Sequence, residues 1–230
     1  MSEIATLCLF SFIAGLIDSV AGGGGLIQLP ALFIILPELP AGILLGTNKL
    51  SSICGTSVAA VQYWRHVGVN WKATLPATFA AFIFSFLGAR AATLMSTAVM
   101  RPVVLVLLVA VAVYTFAQRD FGSLHTPRLT AVRQNIFSVV TGTVIGFYDG
   151  FFGPGTGSFL IFVFIGIFGF SFLAASASAK IVNFTTNFAA VLYFVFTGNV
   201  LYAVALPMAA CNILGSVVGT QLAVLKGNRF

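Results

Sequence analysis

The sequence predicts an all-α, polytopic helical membrane protein made of two homologous repeats. Three observations lead there. Hydrophobic residues make up 59% of the chain and charged residues only 7%, with a mean hydropathy of +1.07. Soluble domains carry about 25% charged residues, and a water-facing surface cannot be built from so few. Apolar runs of membrane-spanning length recur along the 230 residues. Finally, one fixed offset relates Gly, Asp, Lys and Pro residues of the two halves.

The apolar segments fall at about 4–21, 25–36, 42–64, 73–95 and 99–117, then at about 135–152, 157–170, 173–197 and 201–225. Between the two groups lies a polar stretch, 118–133, holding Arg119, Asp120, His125, Arg128 and Arg133. The domain reading is therefore a first transmembrane repeat at 1–117, a linker at 118–133 and a second repeat at 134–230. Two segments are too short to span. Residues 25–36 and 157–170 reach only about 18–21 Å as helix, against a hydrocarbon core of about 30 Å. Each follows a glycine-rich break: Gly22, Gly23, Gly24 and Gly25 in one half, and Gly153, Pro154, Gly155, Thr156 and Gly157 in the other. Short or re-entrant helices at matching positions of two halves point to a transporter binding site.

The offset is 131. It pairs Gly15 with Gly146, Asp18 with Asp149, Gly22 with Gly153, Gly24 with Gly155, Lys49 with Lys180, Pro76 with Pro207 and Gly88 with Gly219. The counterpart of Arg101, at the head of 99–117, would be residue 232, and the chain ends at Phe230. The second repeat is thus expected to lack its last helix, through truncation or a naturally short ending. Charge sets the orientation. The 65–72 break carries Arg65, His66 and Lys72, whereas its counterpart 196–203 carries no charge. Placing 65–72, 118–133 and the C-terminus in the cytoplasm puts 198–201 outside. Matching loops then lie on opposite sides, so the repeats read as inverted.

Several functions are excluded or disfavoured. The net charge is +6, but the cations sit singly between apolar runs, which argues against nucleic acid. Cys8, Cys54 and Cys211 lie inside apolar runs without metal-ligand or disulfide spacing, so no metal is expected. No GxGxxG follows a strand and no Walker motif occurs, so no nucleotide or other cofactor is implied. The N-terminus Met1-Ser2-Glu3 lacks the basic region of a signal peptide, and the first run is expected to be retained.

Three paired features could carry function. A helix that starts at a glycine break exposes unpaired N–H groups and a partial positive charge, which suits an anion. Glycine also permits positive φ and close backbone approach. Packing through small residues is the plainer role for the same glycines. Asp18 and Asp149 lie deep in their runs, where an acid either exchanges a proton with a transport cycle or caps the glycine turn. Lys49 and Lys180 sit among small and polar neighbours, which favours pairing with a substrate or an aspartate over snorkelling. Asn48, Ser51, Ser52 and Thr56 add hydrogen-bonding groups in the first half, as do Asn183, Thr185, Thr186 and Asn187 in the second. The candidate substrate site is therefore Gly22–Gly25, Asn48 and Lys49 with Gly153, Gly155, Gly157, Lys180 and Asn183, and Asp18 and Asp149 are the candidate proton carriers.

The stretches 15–25, 46–49, 146–157 and 179–183 resemble the TauE/SafE sulfite exporter family, also called the 4-toluene sulfonate uptake permeases. The likeness covers nearly the whole chain. It departs at the C-terminus, where a final helix usually follows the equivalent of Gly219. The resemblance implies a multi-pass carrier of the bacterial inner (plasma) membrane for sulfite, sulfoacetate or another organosulfonate, usually an exporter. Together these features predict a secondary transporter of a small sulfur-containing anion that works by alternating access with proton coupling. The expected partners are that anion and the lipid bilayer, with homo-oligomerisation left open. A passive anion channel is the alternative. So is an intramembrane enzyme, although GxGD, HExxH and GxSxG motifs are all absent.

Overall fold

The computed structural model describes residues 2–117 and 129–226. The charged residues Arg119, Asp120, His125, Arg128 and Arg229 fall outside them. Among the described residues every regular element is helical: α1 (Ser2–Ala21), α2 (Gly25–Ile35), α3 (Ala41–His66), α4 (Trp71–Leu94), α5 (Thr97–Ala117), α6 (Ala131–Phe151), α7 (Thr156–Gly166), α8 (Phe172–Phe196) and α9 (Tyr202–Lys226). Each expected apolar segment is a helix. Helix α6 starts three residues before the boundary expected at 134, so Arg133 belongs to α6 rather than to the linker. Helices α1, α4, α8 and α9 are long and apolar enough to cross a membrane. Helices α2 and α7 have 11 residues each, or about 16 Å.

Lipid offers a helix pair little hydrophobic reward for associating, so close van der Waals packing must hold the bundle. The sequence supplies small residues for it. Helix α4 buries Ala73, Ala77, Ala81, Ser85, Gly88 and Ala92 on one stripe. Facing them on α6 are Gly142, Gly146 and Gly150: a Cβ on Gly142 would overlap the Ala77 carbonyl, and one on Gly150 the Ser85 carbonyl. Helices α1 and α9 repeat the arrangement, with Gly15 against Asn212, Gly215 against Phe12 and Gly219 against Leu16. These two pairings, α4 with α6 and α1 with α9, are the most extensive in the molecule.

The offset that relates residues also relates contacts. Gly88 packs on the Phe147 carbonyl and Gly219 on the Leu16 carbonyl, while Gly146 packs on Ala81 and Gly15 on Asn212. Within both pairs the residues correspond by 131. Helices α3 and α8, which occupy the same place in the two halves, run antiparallel. Gly46 lies against Phe194, Lys49 reaches Asn187, and Tyr63 clusters with Ala177. Large side chains fill the space around this scaffold. Phe164, Phe168, Phe170 and Phe172 form one cluster with the alanines of α4, and Leu29, Met100, Val104, Phe152 and Phe194 form another. Ile34, Phe79, Leu105 and Val144 face outward, as a lipid-facing surface requires.

This packing yields a prediction. Gly150→Ala must push a Cβ into the α4 backbone, and overpacking of this kind costs about 1–3 kcal/mol. Its thermal midpoint in detergent should fall clearly below wild type. Gly166→Ala, at a position with open space around it, should melt like wild type. Equal melting of the two variants would contradict the close α4–α6 contact.

Candidate substrate site at the crossing of two broken helices

Helix α1 ends just past Asp18. The Gly22 N–H donates to the Asp18 carbonyl at 2.8 Å, the chain turns through Gly22 at φ +80°, and α2 starts at Gly25. Helix α6 ends just past Asp149, the chain turns through Gly153 and Gly155, both at positive φ, and α7 starts at Thr156. The two turns cross. A Cβ on Gly22 would overlap the backbone of Gly157, and a Cβ on Gly157 that of Gly22. The contact is pinned by the Ser158 N–H on the Gly22 carbonyl (3.2 Å) and the Ser158 hydroxyl on the Ala21 carbonyl (2.7 Å). Gly25 meanwhile lies against Pro154. Two short helices therefore point their N-terminal ends, with their partial positive charge, at one place; the Leu26, Ile27, Thr156 and Ser158 N–H groups are already held by the Gly23, Gly24, Gly153 and Gly22 carbonyls. Gly24 departs from the expected positive φ: it caps α2 at φ −56°. What demands glycine there is the Ala14 carbonyl and the Asp18 Cβ, which leave no room for a side chain.

Four interior charges pair across the halves, three of them buried and Asp18 partly so. Lys49 Nζ lies 2.7 Å from Asp149 Oδ2, and Lys180 Nζ lies 2.7 Å from Asp18 Oδ2. Each lysine thus reaches the aspartate of the other repeat. Lys180 also donates to the Asp18 carbonyl. Lys49, Asp149 and Lys180 are each at most 2% exposed. Charges so far from water survive only when paired. The alternative role for the acids, capping the turns, is not what these carboxylates do: both engage lysines.

A second layer of side-chain amides surrounds the pairs, and its hydrogen bonds fix which edge each amide presents. Lys49 has only protons to offer, so Asn187 turns its oxygen to it at 3.0 Å. The Asn187 NH2 then donates to Asn183 Oδ1 at 3.3 Å, which leaves the Asn183 NH2 outside the network. On the opposite side, Asn212 Nδ2 donates to the Ser11 carbonyl (3.1 Å) and to Gln28 Oε1 (3.0 Å). Gln28 Nε2 is left buried without a partner, as is Asn48 Oδ1.

These groups enclose a cavity. It is small, about 30 Å³. Of the expected residues, Asp18, Gly22, Gly24, Gly25, Asn48 and Lys49 line it from the first half, and Asp149, Gly153, Gly155, Gly157 and Asn183 from the second. Two do not reach the wall. Gly23 faces Leu26 and the Ser158 hydroxyl, and Lys180 is screened from the cavity by the Asp18 carboxylate it holds. Ser52, Thr56 and Asn187 also line the cavity, as do Gln28 and Asn212, which the sequence had not singled out. Gln28 and Asn212 are polar breaks in apolar runs, yet their counterparts at the repeat offset are Phe159 and Ala81, so the repeat gives no hint of them.

Comparison with known proteins places this site in context. The family model described as sulfite exporter TauE/SafE matches residues 7–230. A probable membrane transporter protein, ORF9, of a Sinorhizobium species is 40% identical, covering 97% of this chain and 84% of the relative. A probable membrane transporter protein of Haemophilus influenzae is 34% identical over 97% of this chain and 86% of its own length. The probable membrane transporter protein YfcA of Escherichia coli K12 is 33% identical over 98% and 82%. No solved structure matches at a significant level. The chain therefore belongs to the sulfite exporter TauE/SafE family of membrane transporters.

Proposed function

We propose that this multi-pass membrane transporter carries a small sulfur-containing oxyanion, such as sulfite, sulfoacetate or another organosulfonate, out of the bacterial cell across the inner membrane. The mechanism is alternating access between inverted repeats, coupled to protons. The observation that carries the reading is the composition of the cavity wall. The positive ends of two helices, the Lys49 ammonium and the free NH2 edges of Gln28 and Asn183 all suit an oxyanion. The antiparallel course of α3 and α8, and the charge difference between 65–72 and 196–203, favour the inverted arrangement.

Charge balance supplies the coupling. Lys49, Lys180, Asp18 and Asp149 sum to zero, so an added anion leaves the dry interior with an uncompensated charge. Protonating Asp149 removes that excess and frees Lys49 for the anion. Anion and ionised Asp149 thus compete for one ammonium, and the proton enters as the anion does; the two then cross together without net charge, so outward transport runs on the anion's own outward gradient and against an inward proton gradient. Binding then strengthens as pH falls, because the protonated carboxyl is the form compatible with the anion.

The reading is tested with purified protein and proteoliposomes, using sulfite, thiosulfate, sulfoacetate and aromatic sulfonates, with sulfate and carboxylates as controls. Saturable, pH-gradient-driven flux of the sulfur anions is expected; non-saturating flux indifferent to pH would indicate a channel. Asp149→Asn mimics the protonated carboxyl. It should bind the anion about tenfold or more tightly, a gain of about 1.4 kcal/mol or more, with no pH dependence and no proton-driven flux. Because it leaves the Lys49 charge unpaired, it should lose about 3–5 kcal/mol of stability without ligand and recover much of it with the anion. Lys49→Gln should not bind. Normal binding and flux in Gly155→Ala, where a Cβ meets Val111 at positive φ, would instead make the glycine turns mere packing elements.

Topology offers an independent check. Gly68 and Gly198 sit in corresponding turns with open space around them. Epitopes inserted there should label from the cytoplasmic side and the outer side respectively. Labelling of both from one side would replace inverted repeats by parallel ones.

A further inference from the structure

Away from the central cavity, the ends of α3 and α9 enclose a groove of about 510 Å³ that opens outward. Its direction follows from helix geometry. Tyr63 is fully buried and points inward, where its hydroxyl reaches the Ser19 carbonyl. At 100° per residue, Val61 and Arg65 stand on nearly the opposite face of α3. The groove therefore faces the bilayer and is not a vestibule of the central cavity.

Its walls combine two chemistries. Val61, Val224 and Leu225 are apolar, and Leu225 is 83% exposed. At the rim are Arg65 and His66, with no acidic partner for Arg65 among the described residues. His66 is held by the Gln62 carbonyl through Nδ1, at 2.8 Å. Inside, the Thr220 hydroxyl is fully buried and has no hydrogen-bond partner. Trp64 and Trp71 pack edge to face beside this end of the helices, at the level where tryptophan marks the membrane interface.

We propose that this groove is a binding site for one anionic phospholipid. The headgroup phosphate pairs with Arg65 and accepts a hydrogen bond from Thr220, and the acyl chains lie along Val61 and Leu225. An apolar slot with a cationic rim at a span end matches a lipid, which carries its charge at one end, better than a free ion, which has no use for the apolar wall. Basic pockets between membrane helices bind lipid headgroups in this way. The site is independent of the central cavity and of the transport reading.

The test uses the full chain in bilayers of equal phosphatidylglycerol and phosphatidylcholine, followed by native mass spectrometry of the lipid that stays bound. Wild type should retain phosphatidylglycerol selectively. Arg65→Gln should reduce that retention about fivefold, the effect of about one cation at a membrane surface. Arg65→Lys should keep most of it, and Thr220→Val should reduce it without changing the fold. Arg133→Gln, at the exposed start of α6, should match wild type. The thermal midpoint in detergent serves as the folding control for each variant. Equal retention by Arg65→Gln and Arg133→Gln would overturn the proposal. So would equal retention of phosphatidylcholine, displacement by millimolar inorganic phosphate, or a second copy of the chain seated in the groove.

Discussion

The structure depends on pairing four charges inside the helix bundle. A lone lysine or aspartate in a membrane interior is costly, and removing one partner of a buried pair costs about 3–5 kcal/mol. Here neither half satisfies its own charges. Lys49 is neutralised by Asp149, and Lys180 by Asp18, so each repeat needs the other. The constraint ties α3 to the end of α6 and α8 to the end of α1, which brings the two broken-helix turns to one point. It also makes the interior neutral, and the proposed coupling of anion to proton rests on that neutrality.

Close backbone approach is the second requirement, and it serves the first. The turns can cross only because Gly22 and Gly157 put no side chain between them. The same economy runs through α4 against α6 and α1 against α9, where glycine and alanine bring the backbones together. The bundle thus brings the N-terminal ends of α2 and α7 to the cavity while large aromatics fill the periphery. The two pairs are not equivalent in use. Asp149 and Lys49 both line the cavity, whereas Lys180 is hidden behind Asp18. The repeat supplies a matched framework, and the departures from it, such as Gln28 and Asn212, make one side of the cavity different from the other.

Much of this was legible in the sequence because membrane helices announce themselves by length and composition. All nine apolar segments are helices, and the two short ones start where the glycines are. The repeat offset picked out Asp18, Lys49, Asp149 and Lys180 as functional pairs. It did not say which lysine meets which aspartate, since crossing is a property of how two halves pack. Gln28 and Asn212 escaped because their counterparts in the other half, Phe159 and Ala81, are apolar and each interrupts an otherwise apolar run. At Gly24 the requirement is close approach and not positive φ, and no local pattern reveals that the neighbours are Ala14 and Asp18. Lys180 looked equal to Lys49 because the repeat is blind to which member of a pair ends up facing the cavity.

The claim that matters most is that an anion can enter this neutral interior only with a proton. Calorimetric titration of the purified protein with an organosulfonate, in buffers of different ionisation enthalpy, counts protons directly, because a sulfonate does not change its own ionisation near neutral pH. The account predicts uptake of about one proton per anion bound wherever the Lys49–Asp149 ion pair is intact in the free protein. Binding with no proton uptake, at any pH between the stability limits of the protein, would contradict it.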